Sequence, residues 1–278
     1  TQENENRVFG QVLMLGIAYS ASIGGIATLI GTPPNLVLAT IIQELYGIEI
    51  TFSRWVIFGL PISVVLLLIC WRYLVSYTRF FQQQSFPGGK AEIQRQLDSL
   101  GPISYEEKTV LLVFVGTALA WITRSFFLER FIPGIDDTII AVSAGVLLFI
   151  LPAAPGSKRS ILTWKEAVKL PWGILLLFGG GLAIAQGFKA TGLAEWIGAQ
   201  LVLLNGVPLL LLLLVLIAMV NFLTEITSNL ATTAMLLPVL ASLALTVDVH
   251  PYILMVGATV AASCAFMLPV ATPPNAVV

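Results

Sequence analysis

The residues of this chain that could do chemistry are hydroxyls and amides placed where apolar stretches are interrupted. The densest group is Thr224-Glu225-Ile226-Thr227-Ser228-Asn229-Leu230-Ala231-Thr232-Thr233, a polar island between apolar arms at 208–223 and 234–245. Two others read Gly31-Thr32-Pro33-Pro34-Asn35 and Ala271-Thr272-Pro273-Pro274-Asn275. Adjacent prolines remove two N–H donors and force the preceding turn open. Thr32 can then cap a new half-helix with Pro33 at its first position, and Ser228-Asn229 can do the same for the arm that follows. Half-helix N-termini offer free N–H groups and the positive end of a dipole to an anion, while exposed carbonyls and hydroxyl oxygens suit sodium. The apolar segments hold no nucleophile–base pair, metal-ligand spacing or phosphate loop. Neither an enzyme, nor a bound cofactor, nor a nucleic-acid partner is expected.

Composition sets the surroundings of these groups. Hydrophobic residues make up 57% of the chain and charged ones 10%, against roughly 25% charged in a soluble domain, and mean hydropathy is +0.93. The expected class is an all-α, multi-pass membrane protein. Cys70 and Cys264 both lie in apolar runs, which points to neither a disulfide framework nor a metal cluster. His250 is the single histidine, at a loop edge beside Pro251. The chain starts at Thr1 without methionine and stops part-way through a pattern after Asn275, so a fragment of a longer protein is expected.

The elements that must position the polar groups follow from the apolar runs. Spans are expected at 8–30, 55–74, 110–122, 138–151, 172–187 and 252–268, with a short helix at 193–204. Gly179-Gly180-Gly181 reads as a packing face or as a further break. Between the second and third spans lies a polar segment, within which Ile93, Leu97 and Leu100 share one helical face. That pattern fits an interfacial helix or a solvated linker. The arms at 208–223 and 234–245 fall short of the ~20 residues a spanning helix needs. They are expected to form a re-entrant hairpin; the alternative is two spanning helices joined by a Thr/Ser-rich turn. Unpaired backbone at that depth is tolerated only where it is buried in protein or lines a water-filled cavity.

The recurrence of Thr-Pro-Pro-Asn at 32–35 and 272–275 is the pattern of an internal repeat with paired discontinuous helices. With the hairpin not crossing, the two copies lie an odd number of crossings apart, so the repeats are inverted. Basic residues divide ten against four between the two sides of this arrangement, with Arg72, Lys108, Lys158 and Lys169 among the ten and Arg54, Arg124, Arg130 and Lys189 as the four. The first side is cytoplasmic by the positive-inside rule, and the hairpin enters from outside. The expected division is a transport domain at 1–76 and 205–278, a cytoplasmic connector at 77–109 and scaffold spans at 110–204.

These motifs resemble the divalent anion/sodium symporters, the family of sodium-coupled dicarboxylate, citrate and sulfate carriers. The resemblance runs through essentially all 278 residues. It implies a homodimer in the plasma membrane (a bacterial inner membrane), with a transport domain moving elevator-fashion against a scaffold. It implies substrate contacts at Ser228, Asn229, Thr272, Pro273, Gly31, Thr32 and Pro33, and a sodium site from Thr224, Thr227, Asn229 and the backbone of Ala271. The expected cargo is a small divalent organic anion, C4-dicarboxylates first. A sodium-independent citrate or dicarboxylate exchanger and an anion channel are the alternatives. Leu230 stands where the family pattern has threonine, one hydroxyl fewer, and Glu225 either supports the cation-site loop or lies at a polar protein–protein face; coupling through its protonation would make the protein proton-driven.

Overall fold

The computed structural model describes residues 2–78, 89–170, 172–193, 196, 206–268, 271, 272, 274 and 275. Among these, regular structure is helical throughout. In chain order the helices are α1 (Gln2–Ile26), α2 (Pro33–Tyr46), α3 (Phe52–Thr78), α4 (Gly89–Leu100) and α5 (Tyr105–Thr123). A π-helical turn (Arg124–Leu128) leads into α6 (Glu129–Phe131), α7 (Asp137–Ile150), α8 (Trp164–Ala167) and α9 (Gly173–Thr191). Then come α10 (Leu209–Ile226), α11 (Asn229–Thr246) and α12 (Pro251–Ala262). Most of the short helix expected at 193–204 lies outside the described residues.

The chain divides into two compact units. The larger comprises Arg7–Ile50, Arg54–Phe80 and Trp172–Val278. Its core is built on α11, which packs against α2, α9 and α12, while α10 packs against α12. Thr233, Leu237, Leu240 and Ala244 recur at helical spacing on α11 and are buried, as are Val37, Leu38, Ile41 and Ile42 on α2. On α10 one stripe is buried, Leu212, Leu216, Val220 and Thr224, while Leu210, Leu214 and Phe222 are exposed. A helix exposing that much apolar surface belongs in lipid. Among the described residues, α10, α11 and the stretches Phe52–Ser76 and Tyr105–Phe131 are each long and apolar enough to cross a membrane.

The polar island differs from expectation. Helix α10 runs through Thr224 and Glu225 to Ile226, and α11 restarts at Asn229, which leaves only residues 227 and 228 between them. The hydroxyls explain this. Thr233 on α11 donates to the carbonyl of Asn229, and Thr227 in the tip donates to that of Leu223 in the last turn of α10, each four residues back, so neither hydroxyl interrupts its helix. Each arm is 18 residues long, or about 27 Å at 1.5 Å per residue. That is close to the hydrocarbon thickness, so length alone does not separate a re-entrant arm from a span. Gly179-Gly180-Gly181 lies inside the continuous helix α9, so no break falls there, and a Cβ on Gly179 or Gly180 would touch nothing within 4 Å.

The smaller unit (Thr1–Asn6, Thr51–Ser53, Phe81–Pro171) is organised by α5 packed on α7. Sequence reading missed its central feature. Arg124, only 2% exposed, sits at the start of the π turn and pairs with Glu129 at 3.2 Å and Asp137 at 3.3 Å. The other Asp137 oxygen accepts from the Phe52 amide at 3.0 Å. In α4, Ile93, Leu97 and Leu100 are all exposed, an apolar stripe of the kind an interfacial helix presents.

Where helix α3 meets the end of α1, backbones come very close. A Cβ on Gly59 would lie 2.5 Å from the Ile26 carbonyl oxygen, whereas one on Gly24 would meet nothing within 4 Å. Gly59→Leu should therefore cost about 1–3 kcal/mol through overpacking, read as a lowered melting temperature in detergent. Gly24→Ala should leave the melting temperature unchanged or slightly raised.

Candidate functional site

Two apolar helices in the larger unit stop short of a full turn-by-turn bond ladder, and the residues at those stops face one cavity. Helix α1 ends at Ile26 and α2 begins at Pro33; α12 ends at Ala262, and the chain passes through residues 263–272 before helical backbone resumes at Pro274. The cavity is about 380 Å³ and is lined by Ala21, Ser22, Gly31, Thr32, Pro33, Ser228, Asn229, Leu230, Ser263, Ala271, Thr272 and Pro274. No ionisable side chain is among them. The polar groups it offers are hydroxyls, one amide and backbone.

Six of the seven expected substrate residues line this cavity: Gly31, Thr32, Pro33, Ser228, Asn229 and Thr272. Pro273 lies outside the described residues. Of the expected cation set, Asn229 and Ala271 line the cavity; Thr224 and Thr227 do not. Thr224 is fully buried and donates to Asn229 Oδ1 at 2.6 Å, so it orients the amide that faces the cavity. The Thr227 hydroxyl lies 2.6 Å from that of Thr232 and donates to Leu223. Thr232 and Thr233 both spend their hydroxyls inside the hairpin, and Leu230 presents an apolar side chain to the cavity. Ser22 and Ser263, absent from the expected set, supply hydroxyls instead.

Ser228 and Thr32 occupy N-cap positions in extended conformation, yet neither side chain makes the capping hydrogen bond. The expected side-chain caps are therefore not formed. This leaves first-turn N–H groups of α11 without a side-chain acceptor at the cavity wall, the arrangement that favours an anion.

Breaking a helix in apolar surroundings frees carbonyls that must find donors. At the first break helix α3 provides two: Trp55 Nε1 donates to the Ile26 carbonyl at 2.9 Å and Ser63 to that of Ile23 at 2.7 Å. With Gly59 between them, these residues form one face of α3. Asn35 reaches back to the carbonyls of Thr28 at 2.9 Å and Gly25 at 3.4 Å. At the second break Asn221 donates to Cys264 at 2.7 Å and Tyr19 to Phe266 at 3.1 Å. Asn275 reaches back to Ala265 at 3.0 Å and Leu268 at 3.2 Å. Gly31 must be small, since a Cβ there would collide with the Gly25 backbone.

Glu225, 3% exposed, turns both oxygens onto the second break and accepts from the amides of Met267 at 3.0 Å and Leu268 at 2.8 Å. Its geometry is that of a support for the loop between Ala262 and Thr272. The sequence signal was its place as the single acid in the hairpin; its partners, 42 and 43 residues away, were not legible.

A second, larger cavity of about 790 Å³ runs along α5 and α7 in the smaller unit. Its walls are mainly Leu, Ile, Val, Gly and Ala, with Tyr105, Lys108, Thr109, Thr117 and Ser143 as the polar members, and no interrupted helix opens onto it.

Long apolar helices interrupted where they line a polar cavity define a multi-pass helical membrane protein. The chain belongs to the sodium:sulfate symporter family, whose transmembrane region matches residues 1–278. It is 48% identical over 273 residues to the sodium-dependent dicarboxylate transporter SdcS of Staphylococcus saprophyticus, covering 97% of this chain and 53% of that protein. To the protein of the same name from Staphylococcus aureus (strain USA300) it is 47% identical over 282 residues, covering 100% of this chain and 54% of that one. The chain thus spans about half the length of the curated relatives it matches.

Replacing Glu225 by Ala takes the acceptor from the Met267 and Leu268 amides. It should lower stability by about 2–4 kcal/mol, measured as the shift in thermal unfolding, and Glu225→Gln, which keeps one acceptor, should lose less.

Proposed function

We propose that the full-length protein is a secondary active transporter that carries small dicarboxylates, C4 acids first, together with sodium. The observation that carries this reading is the cavity of about 380 Å³ between two helix breaks and the hairpin tip, with Ser228, Asn229, Thr32 and Thr272 on its walls and no ionisable group. Hydroxyls, an amide and helix N-termini bind carboxylate without a fixed positive charge, and a co-bound sodium ion then supplies the countercharge. In this role Ser228, Asn229, Thr272, Pro273, Gly31, Thr32 and Pro33 contact the anion. Asn229 and the Ala271 backbone hold sodium with Thr224 and Thr227 behind them. The names of the relatives, sodium-dependent dicarboxylate transporters, support both cargo and ion.

The transport mechanism belongs to the same reading. Residues 1–76 and 205–278 form a transport domain that moves elevator-fashion in a homodimer, 77–109 a cytoplasmic connector, and 110–204 scaffold spans in a bacterial inner membrane. The hairpin of α10 and α11 is re-entrant from outside, and the two broken helices are inverted repeats. Supporting the repeat, the bonds of Asn35 to carbonyls ten and seven residues back recur at Asn275 with the same offsets.

Uptake of labelled succinate by the full-length protein in proteoliposomes should saturate and require an inward sodium gradient. Uptake driven only by trans anion, or unsaturable conductance, would replace the symporter with an exchanger or a channel. Asn229→Ala should weaken succinate and sodium dependence together, by about tenfold or more each; a loss confined to succinate would separate the two sites. Single cysteines at Lys158 should label from the cytoplasm and at Pro133 from outside, and the reverse would overturn the orientation.

A further inference from the structure

Asn35 and Asn275 lie 240 positions apart (275 − 35) and do the same thing. Each sends its side-chain amide to the carbonyls ten and seven residues earlier. At the first break the earlier carbonyl belongs to α1 and the later one to the loop; at the second both lie in the loop after Ala262; in each case the asparagine itself opens the next half-helix. One side chain therefore fixes three points of each break. The amide orientation is unambiguous, because a flip would set Oδ1 against two carbonyl oxygens. Both asparagines are buried, and in both Oδ1 has no partner among the described residues. A residue kept only for its volume need not carry an acceptor that nothing satisfies, twice, at matching places. What the two share is a pair of donors aimed at two freed carbonyls. Neither lines the cavity, but each immediately follows residues that do: Gly31, Thr32 and Pro33 in one case, Ala271, Thr272 and Pro274 in the other.

We propose that Asn35 and Asn275 are paired positioning residues: by drawing together the ends of each break they set where Gly31–Thr32 and Ala271–Thr272 stand on the cavity wall, and hence the affinity for transported anion, without touching it. This rests on the carrier reading above.

Aspartate is the discriminating substitution. It is nearly isosteric with asparagine, but when ionised it has no donor and faces two carbonyl oxygens; protonated, it regains one donor. The clamp should therefore work while the introduced carboxyl keeps its proton and fail as rising pH removes it. At the second break Glu225, Tyr19 and Cys264 bond to or lie on the same loop. The first break is held instead by Trp55 and Ser63.

The test uses the full-length protein in proteoliposomes, with sodium-driven succinate uptake measured from about pH 5.5 to about pH 8 and normalised to wild type at each pH, so that titration of succinate cancels. Both Asp variants should show KM raised about tenfold at the alkaline end and within about threefold of wild type at the acid end. Asn35→Leu and Asn275→Leu, with the same branched outline but no donor, should show raised KM at every pH. An Asp variant with a pH-flat, wild-type KM, or a Leu variant indistinguishable from wild type, overturns the proposal. Should an Asp variant fail to elute as wild type does on size exclusion, the corresponding Leu variant decides by its KM alone. Wild type that carries no succinate with sodium would instead overturn the carrier reading, and the positioning role with it.

Discussion

The structure depends on one constraint: backbone that leaves a helix inside an apolar bundle must still find its hydrogen-bond partners. Two interrupted helices free carbonyls at residues 23–28 and 261–268, and side chains from α1, α3, α10 and the half-helix starts reach in to meet them. Of the buried polar residues in the larger unit, Asn35, Ser63, Glu225 and Asn275 serve this end, and Ser263 and Thr272 lie on the cavity. The cavity is what the constraint leaves over, the place where some N–H groups and hydroxyls have no protein partner to turn to.

The two breaks meet the constraint with different means around a common element. Both use the asparagine of Thr-Pro-Pro-Asn in the same way. Beyond it, the first break leans on α3 through Trp55 and Ser63, with Gly59 allowing the approach. The second leans on α10 through Asn221 and Glu225. A motif of four residues can thus recur while its supports diverge, because any donor on a neighbouring helix will do.

Much of this was legible in the sequence. The helical membrane class follows from composition, and the breaks follow from double prolines inside apolar runs. Six of the seven residues expected to meet substrate line the cavity, because the breaks and the Ser228-Asn229 tip carry polar groups, whereas Ser22 and Ser263 gave no such signal. What was not legible depended on tertiary partners. The polar island looked ten residues long, but hydroxyls that bond back four residues let helix run through most of it, and the tip shrank to residues 227 and 228. Ser228 has the residue type of an N-cap, yet its hydroxyl makes no cap bond. Asn35 read as the end of a turn motif, and its back-bonding appears only once Gly25 is folded near it. Arg124 counted as one of four outer charges, whereas its burial with Asp137 needs a π turn that no local pattern announces.

Tyr19 sits on α1, upstream of the first break, but its hydroxyl serves a carbonyl of the second. The Thr32 hydroxyl of the first break in turn lies 3.4 Å from that of Ser263 in the second. The two interruptions are therefore cross-wired, and neither can open or slide without disturbing the other's partners. A bond lost at one interruption would leave a carbonyl or a hydroxyl of the other without its partner.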